Sequence, residues 1–338
     1  MEFFGLDIGS HNIKAVQLKK TQGKYLLVAL GSAPSTSKGL LSEAESDLVT
    51  LSEIIKKLHQ EIKIKTKNVV TALPQDQVFT RVITTPPLSE EELESALKWE
   101  AEQYVPFPIE EVSLTYEVLG KIKEDKEEKM EVLLAAAPNN LIEKTLKVLK
   151  IAGLNPVSLE MEIMAVSRSL VPPDSPSVLV IDLGAKATDL AVVENNKLVL
   201  VYSIPTAGEA LTRALSMELE LDPSQAEAYK KAYGLDVEKL EGRVSNAIKP
   251  ILEIIIKEIE KTIQFYGTKG KNIQRIVLSG GGAGLPELGT ILTKKLNLEV
   301  QTGNPFSQII KDSLLVKIPP TDLSLYAVSV GLAMKEIG

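Results

Sequence analysis

Short runs in which apolar and polar residues alternate occur along the whole chain, separated by longer segments with an apolar residue every three or four positions. The alternating runs predict strands, and the longer spacing predicts helices. Because the two kinds of segment follow one another repeatedly, the sequence predicts an α/β fold. The uncharged run "LSLYAVSVGLAM" (323–334) is too short to cross a bilayer and predicts a buried helix.

One strand pattern occurs twice. "GLDIGSHNIKAVQL" (5–18) and "VIDLGAKATDLAVV" (180–193) both contain an aspartate inside an apolar run, a glycine two positions later, a polar corner and a second apolar strand. The corresponding residues are Asp7 with Asp182 and Gly9 with Gly184. One such hairpin is as easily an ordinary turn. Two of them, in different halves of the chain, predict a duplicated domain.

The predicted first half spans 1–170 and the second spans 171–338, with the Pro-rich segment "VPPDSPS" between them. The first half carries an insertion at about 75–131, which contains strands and a helix that begins with a Ser89–Glu92 capping box. The charged segment 121–129 within it predicts a solvated loop. In the second half, the region of about 206–262 is predicted to be a helical subdomain.

Composition excludes several classes of protein. The 338 residues are 44% apolar, which supports large cores, and the net charge of −7 offers no basic face to nucleic acid. Without cysteine there are no disulfides or thiolate metal sites, and the two histidines leave almost no material for a histidine metal site or a Ser-His-Asp triad. The chain has no signal-peptide pattern and no apolar run of about 18–20 residues, so we expect a cytoplasmic protein.

A glycine-rich segment, "RIVLSGGGAGLPELGTILTKKL" (275–296), follows a strand pattern and precedes a helix pattern. Backbone without side chains lets a ligand approach closely, and the N–H groups at a helix start favour anions. The dinucleotide-binding motif would need a glycine at Glu287. Alone, such a run is more often a tight corner than a nucleotide site.

The two hairpins and the glycine-rich segment together resemble the actin, heat-shock chaperone and sugar kinase superfamily of ATPases, over nearly the whole chain. This resemblance implies an actin-like (ribonuclease H-like) pair of duplicated domains around a cleft for ATP and Mg²⁺. Asp7 and Asp182 would hold the metal ion through water, because Mg²⁺ keeps much of its hydration shell. The segment "AEAYKKAYG" (226–234) is similar to the chaperone helix that contacts ribose and adenine, although alone it is typical of a solvated helix face. The nucleotide-binding residues implied are Asp7, Gly9, Ser10, His11, Asn12, Lys14, Asp182, Gly184, Ala185, Lys186, Thr188, Gly208, Glu227, Lys230, Lys231, Gly280, Gly281, Gly282, Ala283 and Leu285.

Three segments, 3–18, 84–112 and 325–338, resemble the PilM family, cytoplasmic actin-like proteins of the type IV pilus inner-membrane platform and relatives of FtsA. The resemblance implies an FtsA-like inserted subdomain at 75–131 that binds the N-terminal cytoplasmic peptide of a PilN-type partner. The membrane would be reached only through such partners, so that the protein is peripheral at the inner membrane. Self-association stays open, as does the choice between a pilus and a related secretion or competence system.

The second hairpin departs from active relatives, because Ala185 and Lys186 stand where those often carry Gly, Ser or Thr. The acid that would orient attacking water lies in "SLEMEIMAVSRSL" (158–170), where Glu160 and Glu162 are both candidates and spacing does not choose between them. We therefore expect ATP binding with slow or absent hydrolysis. A small-molecule kinase and an FtsA-like filament-forming ATPase are the alternatives.

Overall fold

The structure is a computed structural model that describes residues 1–124, 127–268, 270–310 and 318–337. Within these ranges the chain forms three β-sheets with helices packed against them. The strands are β1 (Phe4–Ile8), β2 (Asn12–Thr21), β3 (Lys24–Pro34), β4 (Asn68–Leu73), β5 (Phe79–Thr85), β6 (Val112–Glu124), β7 (Glu127–Pro138), β8 (Asn155–Met161), β9 (Val178–Leu183), β10 (Thr188–Glu194), β11 (Lys197–Ile204), β12 (Arg275–Ser279), β13 (Glu299–Thr302) and β14 (Ile309–Ile310). The helices are α1 (Glu45–Glu61), α2 (Glu90–Tyr104), α3 (Asn139–Ile151), α4 (Glu162–Leu170), α5 (Gly208–Leu219), α6 (Pro223–Tyr233), α7 (Arg243–Gly267), α8 (Leu288–Leu296) and α9 (Ala327–Ala333).

Two of the sheets share one topology. The first has the order β14-β3-β2-β1-β4-β8 and the second the order β11-β10-β9-β12-β13. In each, a central strand pairs antiparallel with the next strand in the chain and parallel with a later one. The central strands β1 and β9 are almost continuously apolar because both of their faces are covered. The repeated order confirms the predicted duplicated α/β fold.

Helices α4 and α9 pack against each other and link the sheets: α9 lies on β1, β2 and β4, while α4 contacts β8, β9 and β10. Their backbones approach closely, since a Cβ placed on Gly331 would lie 1.8 Å from the backbone oxygen of Ala165. The predicted helix at 323–334 is thus buried, beginning with a 3₁₀ turn over Pro320–Tyr326. Both α9 and β14 pack on the first sheet although they follow the second in the chain. The predicted boundary between the halves, and the bounds of their two insertions, stay predictions.

The third sheet, of order β5-β7-β6, lies within the inserted region of the first half. One face is covered by α2, where Leu93 and Leu97 join a small apolar core with Val132 and Leu134. The capping box predicted for α2 is present, since Ser89 and Glu92 bond reciprocally through side chain and backbone.

The opposite face of the third sheet belongs to the main core. Leu119 and Leu133 pack there in the cluster that also contains Leu198 of β11, in the second half. The Lys197 ammonium, at the start of β11, donates to the backbone oxygen of Val118 at 2.9 Å and to that of Leu119 at 2.8 Å. The inserted sheet therefore lies between its own helix and a strand of the second half.

The prediction of a loop over 121–129 is wrong for the residues described there. Strands β6 and β7 remain paired out to Glu124 and Glu127, and residues 125–126 lie outside the described part. Charged residues are tolerated because opposite charges meet across this end of the hairpin, as in the 3.2 Å ion pair of Lys121 with Glu128. In the described ranges no helix is long and apolar enough to span a bilayer.

Candidate functional site

A cleft with a cavity of about 520 Å³ opens between the first two sheets. The ends of β1 and β9, the turns that follow them, the first residue of α4 and the glycine-rich turn after β12 all line it. Because β1 and β9 occupy equivalent places in their sheets, the two aspartate hairpins face the same space. The predicted duplication thus builds one site from two copies of one motif.

The first hairpin places a charged pair at the bottom of this cleft. Asp7 is buried, and the Lys14 ammonium, directly opposite it in the ladder, donates to its Oδ2 at 2.9 Å. Burial alone would lower the pKa of Lys14, but the carboxylates of Asp7, Asp182 and Glu162 raise it above its usual value of 10.5. A Cβ on Gly9 would lie 2.8 Å from the Asn12 backbone oxygen, so the tight corner requires glycine.

The second hairpin presents two more carboxyl groups, Asp182 and, directly opposite it, Asp189. Burial raises the pKa of Asp182 to about 6 and that of Asp189 to about 7, although the Ser203 hydroxyl donates to Asp189 at 2.5 Å. Burial, with Asp7, Asp189 and Asp182 nearby, raises the pKa of Glu162 well above 4.5.

Carboxyl groups outnumber lysines along the cleft. Asp7, Asp182, Asp189 and Glu162 surround it, and Lys14 is already paired with Asp7. Among the described residues, no three acidic or histidine side chains converge closely enough to hold a metal ion. Carboxylates that do not converge could hold Mg²⁺ only through its water molecules, and this ion keeps much of its hydration shell. Asp7 and Asp182 are the side chains that would hold its water molecules.

Helix α5 begins against the turn of the second hairpin. The Gly208 N–H donates to the Gly184 oxygen at 3.1 Å, and the Glu209 N–H donates to the Ala185 oxygen at 2.8 Å. Across the cleft mouth, the Glu209 carboxylate is hydrogen bonded to the His11 ring at 3.0 Å. The first hairpin and α5 are thus in direct contact.

Helix α6 contributes Lys230, whose three ammonium N–H groups all donate to other groups of the protein. The Lys230 ammonium donates to the Gly208 oxygen at 2.9 Å, to the Thr212 hydroxyl at 2.7 Å and to Glu227 at 2.6 Å. Burial would raise the pKa of Glu227, yet hydrogen bonds from Lys230 and Thr212 lower it to about 2. Lys230 therefore holds α5 in position. Lys231 is more exposed, forms a 3.2 Å ion pair with Oε1 of Glu227 and also lines the cleft.

The glycine-rich turn is packed tightly against the second hairpin. Gly280 has φ +78°, and a Cβ on it would lie 2.6 Å from the Leu183 oxygen and 2.8 Å from Oδ1 of Asp182. A Cβ on Gly282 would overlap the Leu183 side chain. The sequence leaves open whether this glycine run forms a tight corner or the wall of a ligand site. In the structure, one side of the turn packs tightly against the second hairpin and the other side lines the cleft.

Three of the predicted site residues lie away from the cleft. The Thr188 side chain is buried and donates to the Thr206 oxygen, and Ala283 is buried in the second core. Glu160 accepts 2.7 and 2.9 Å bonds from Arg168 and a 2.5 Å bond from Lys335. Of the two candidate acids, Glu162 is the one that lines the cleft. All the other predicted residues line it too.

The sequence reasoning missed several residues of the wall. Asp189 could have been found, because it interrupts an apolar strand as Asp7 does. Ser279 ends β12 beside the glycines. The segment 38–41, Asp76 and Asp322 carry no local signal, since only the folded chain brings them to the cleft.

Two hairpin-centred sheets around an acidic, glycine-lined cleft define a protein with an actin-like fold. The chain belongs to the family described as "Type IV pilus assembly protein PilM", whose model matches residues 5–337.

Known proteins agree with this assignment. A chain of the structure described as the PilM-PilN type IV pilus biogenesis complex is 31% identical, with a TM-score of 0.86, covering 99% of this chain and 98% of that one. MreB5 of Spiroplasma citri, described as bound to ADP, is 16% identical with a TM-score of 0.53 over 98% of this chain and 95% of its own, and shows the shared fold. FtsA of Bacillus subtilis is 21% identical over 69% of this chain, which spans 58% of that relative.

Proposed function

We propose that the protein is an ATP-binding assembly factor of the type IV pilus machinery that binds the N-terminal cytoplasmic peptide of a PilN-type membrane protein. The observation that carries this proposal is the similarity of nearly the whole chain, in sequence and in fold, to a chain of a PilM-PilN complex. The peptide docks on the inserted subdomain, at about 75–131. The partner then holds the protein at the inner membrane.

ATP with Mg²⁺ is the proposed ligand of the cleft. The support is its chemistry: paired carboxylates that need a cation, backbone corners open to phosphate, and a buried lysine beside Asp7. When bound, the metal would neutralise phosphate charge, and Asp7 and Asp182 would orient its water shell. Lys186 and Gly208, the first residue of α5, line the same cleft and would contact phosphate oxygens. The ADP in the MreB5 description is consistent with this ligand class.

Turnover is proposed to be slow or absent. The raised pKa of Glu162 keeps its carboxyl group protonated to higher pH in the free cleft, and a protonated carboxyl group cannot take a proton from attacking water. Ala185 offers no side-chain donor to the second hairpin. Phosphoryl transfer depends on positioning and charge neutralisation, and both are only partly supplied here. ATP therefore acts as a conformational ligand.

Nucleotide and peptide are coupled through the inserted sheet, because that sheet packs against β11 of the second half and accepts two hydrogen bonds from Lys197. A ligand that favours one arrangement of the halves then also favours one placement of this sheet. Linkage requires the effect to be mutual, so ATP and peptide each raise the affinity for the other.

The proposal is tested by titrating a synthetic PilN-type N-terminal peptide into the protein with and without Mg-ATP, using calorimetry, and by hydrogen exchange of the complex. We expect tighter peptide binding with Mg-ATP and slower exchange of amides within 75–131. A scrambled peptide is the control. Full-strength binding that protects amides only outside this region would show that the docking site lies elsewhere, and no binding in either state would refute the partner.

A further inference from the structure

The negative charge of the chain is concentrated in one segment. Residues 89–111 contain eight glutamates and one lysine, a net charge of −7, which equals the net charge of the whole protein. The rest of the chain is therefore balanced. This segment is α2 with its two flanks, on the outside of the inserted subdomain.

The solvent-exposed side of α2, called here the outer face, is defined as Glu91, Glu94, Lys98, Trp99 and Glu102, all of which are exposed. The helix buries Leu93, Leu97 and Ala101 on one side, and Trp99 lies on the opposite side with 62% of its surface exposed. Within the part of the chain that the structure describes, no lysine or arginine forms an ion pair with the three glutamates. The face therefore carries three glutamates without an ion pair and one lysine, and it is acidic on balance.

A second aromatic residue of the same helix contacts a cation of the same chain. Tyr104 is covered by the Arg81 guanidinium, which lies 3.6 Å from the ring centre. A cation over an aromatic ring is favourable, and tryptophan is the best ring for it. The fold supplies this cation to Tyr104, whereas Trp99 is exposed, lies one helical turn from Glu102 and is open to a cation from outside.

We propose that the outer face of α2 binds the Lys/Arg-rich stretch that joins the partner's docking peptide to its transmembrane helix; this rests on the proposed function. Cytoplasmic segments next to a transmembrane helix carry an excess of lysine and arginine. Their ammonium and guanidinium groups complement the glutamates and can stack on Trp99. The acidic face would repel an anionic membrane surface. A second copy of the chain has no net charge outside 89–111, so its surface would not attract the face by charge.

The experiment compares two peptides, the PilN-type docking peptide alone and the same peptide extended through its basic stretch. They are titrated into the wild type and into the triple variant Glu91→Gln/Glu94→Gln/Glu102→Gln. Glu92 is left unchanged because it closes the helix cap. The matched control is Glu53→Gln/Glu143→Gln/Glu260→Gln, three exposed helical glutamates on other elements.

The extended peptide should bind the wild type and the control about tenfold more tightly than the short one at low salt, because three exposed pairs each contribute a few tenths of a kcal/mol to one kcal/mol. The triple variant should lose this difference, and so should the wild type at high salt. Trp99 is the protein's single tryptophan. Its emission should shift with the extended peptide and not with the short one, and Trp99→Ala should reduce the gain.

Octalysine probes the face without the docking peptide. If neither partner peptide binds but octalysine shifts Trp99 emission in the wild type and not in the triple variant, the proposed partner is wrong and the cation-binding face stands. If the short peptide binds, the extension adds nothing and Trp99 emission is unchanged, the inference is overturned. It is also overturned if the triple substitution changes the oligomeric state by light scattering, since the face would then join copies of the chain.

Discussion

Glu160 and Glu162 lie two residues apart, and identical substitutions at them should have opposite effects. Glu160 holds Arg168 and Lys335 in a buried cluster, whereas Glu162 faces three other carboxyl groups in the cleft. Glu160→Gln removes the charge that two cations share. Glu162→Gln removes a charge that burial and its neighbours already oppose.

The size of the first effect follows from burial. Breaking a buried pair costs about 3–5 kcal/mol. The Arg168 and Lys335 side chains keep 28% and 24% exposure, so water can partly replace the carboxylate. We therefore expect Glu160→Gln to lower the free energy of unfolding by about 2–3 kcal/mol, which in a chain of this size lowers Tm by roughly 3–4 °C. Glu162→Gln should leave Tm unchanged or raise it.

Thermal unfolding followed by circular dichroism at pH 7.5, with calorimetry of Mg-ATP binding, separates the two variants. Glu160→Gln should bind the nucleotide normally once folded, and any residual hydrolysis should disappear in Glu162→Gln. Each variant serves as the control of the other. A stable Glu160→Gln with impaired nucleotide handling, beside an unstable Glu162→Gln, would refute the assignment of the two side chains.

Four further outcomes are expected. Asp7→Ala or Asp182→Ala should weaken Mg-ATP binding at least about tenfold, some 1.4 kcal/mol, and wild-type affinity in calorimetry would contradict the metal assignment. Gly331→Ala should lower the free energy of unfolding by about 3 kcal/mol in a urea titration, because its Cβ would meet backbone at 1.8 Å; an unchanged midpoint would count against the α4–α9 packing. The folded-state pKa values of Asp182 and Asp189, about 6 and 7, lie above the usual 3.8, so their stabilising contribution is complete below about pH 4 and is lost as pH rises through 6 and 7. Asp189→Asn should therefore gain stability relative to wild type between pH 5 and 8, and a constant difference would disprove the shift. Lys197→Met should reduce the mutual effect of ATP and peptide towards none, with each Kd alone nearly unchanged; full coupling in this variant would show that the contact is not used.

Features with a local cause could be predicted from the sequence. The two aspartate hairpins are visible because an acid inside an apolar strand is unusual and because the pattern occurs twice. The α2 cap needs only Ser89 and Glu92, because residues at this spacing can each bond through the side chain to the other's backbone N–H. The duplicated fold and most of the cleft follow from these signals.

Features that depend on which distant segments meet in the folded chain could not be predicted. Glu160 ends up near Lys335, and which acid enters the cleft depends on the boundary between β8 and α4, which the apolar pattern does not mark. The role of Lys230 changes because Gly208 and Thr212 take its donors. The charge content of 121–129 predicts a loop, but strands β6 and β7 remain paired to Glu124 and Glu127.

The position of α9 has a consequence for synthesis on the ribosome. The helix covers β1, and β14 extends the first sheet, yet α9 is translated about 320 residues after β1, which takes about 16 to 64 s at usual elongation rates. Throughout that interval Val16 and Leu27 lack the Tyr326 and Val330 side chains that later bury them. The N-terminal sheet therefore emerges first but is completed last, and a nascent chain stalled before residue 320 should bind chaperones.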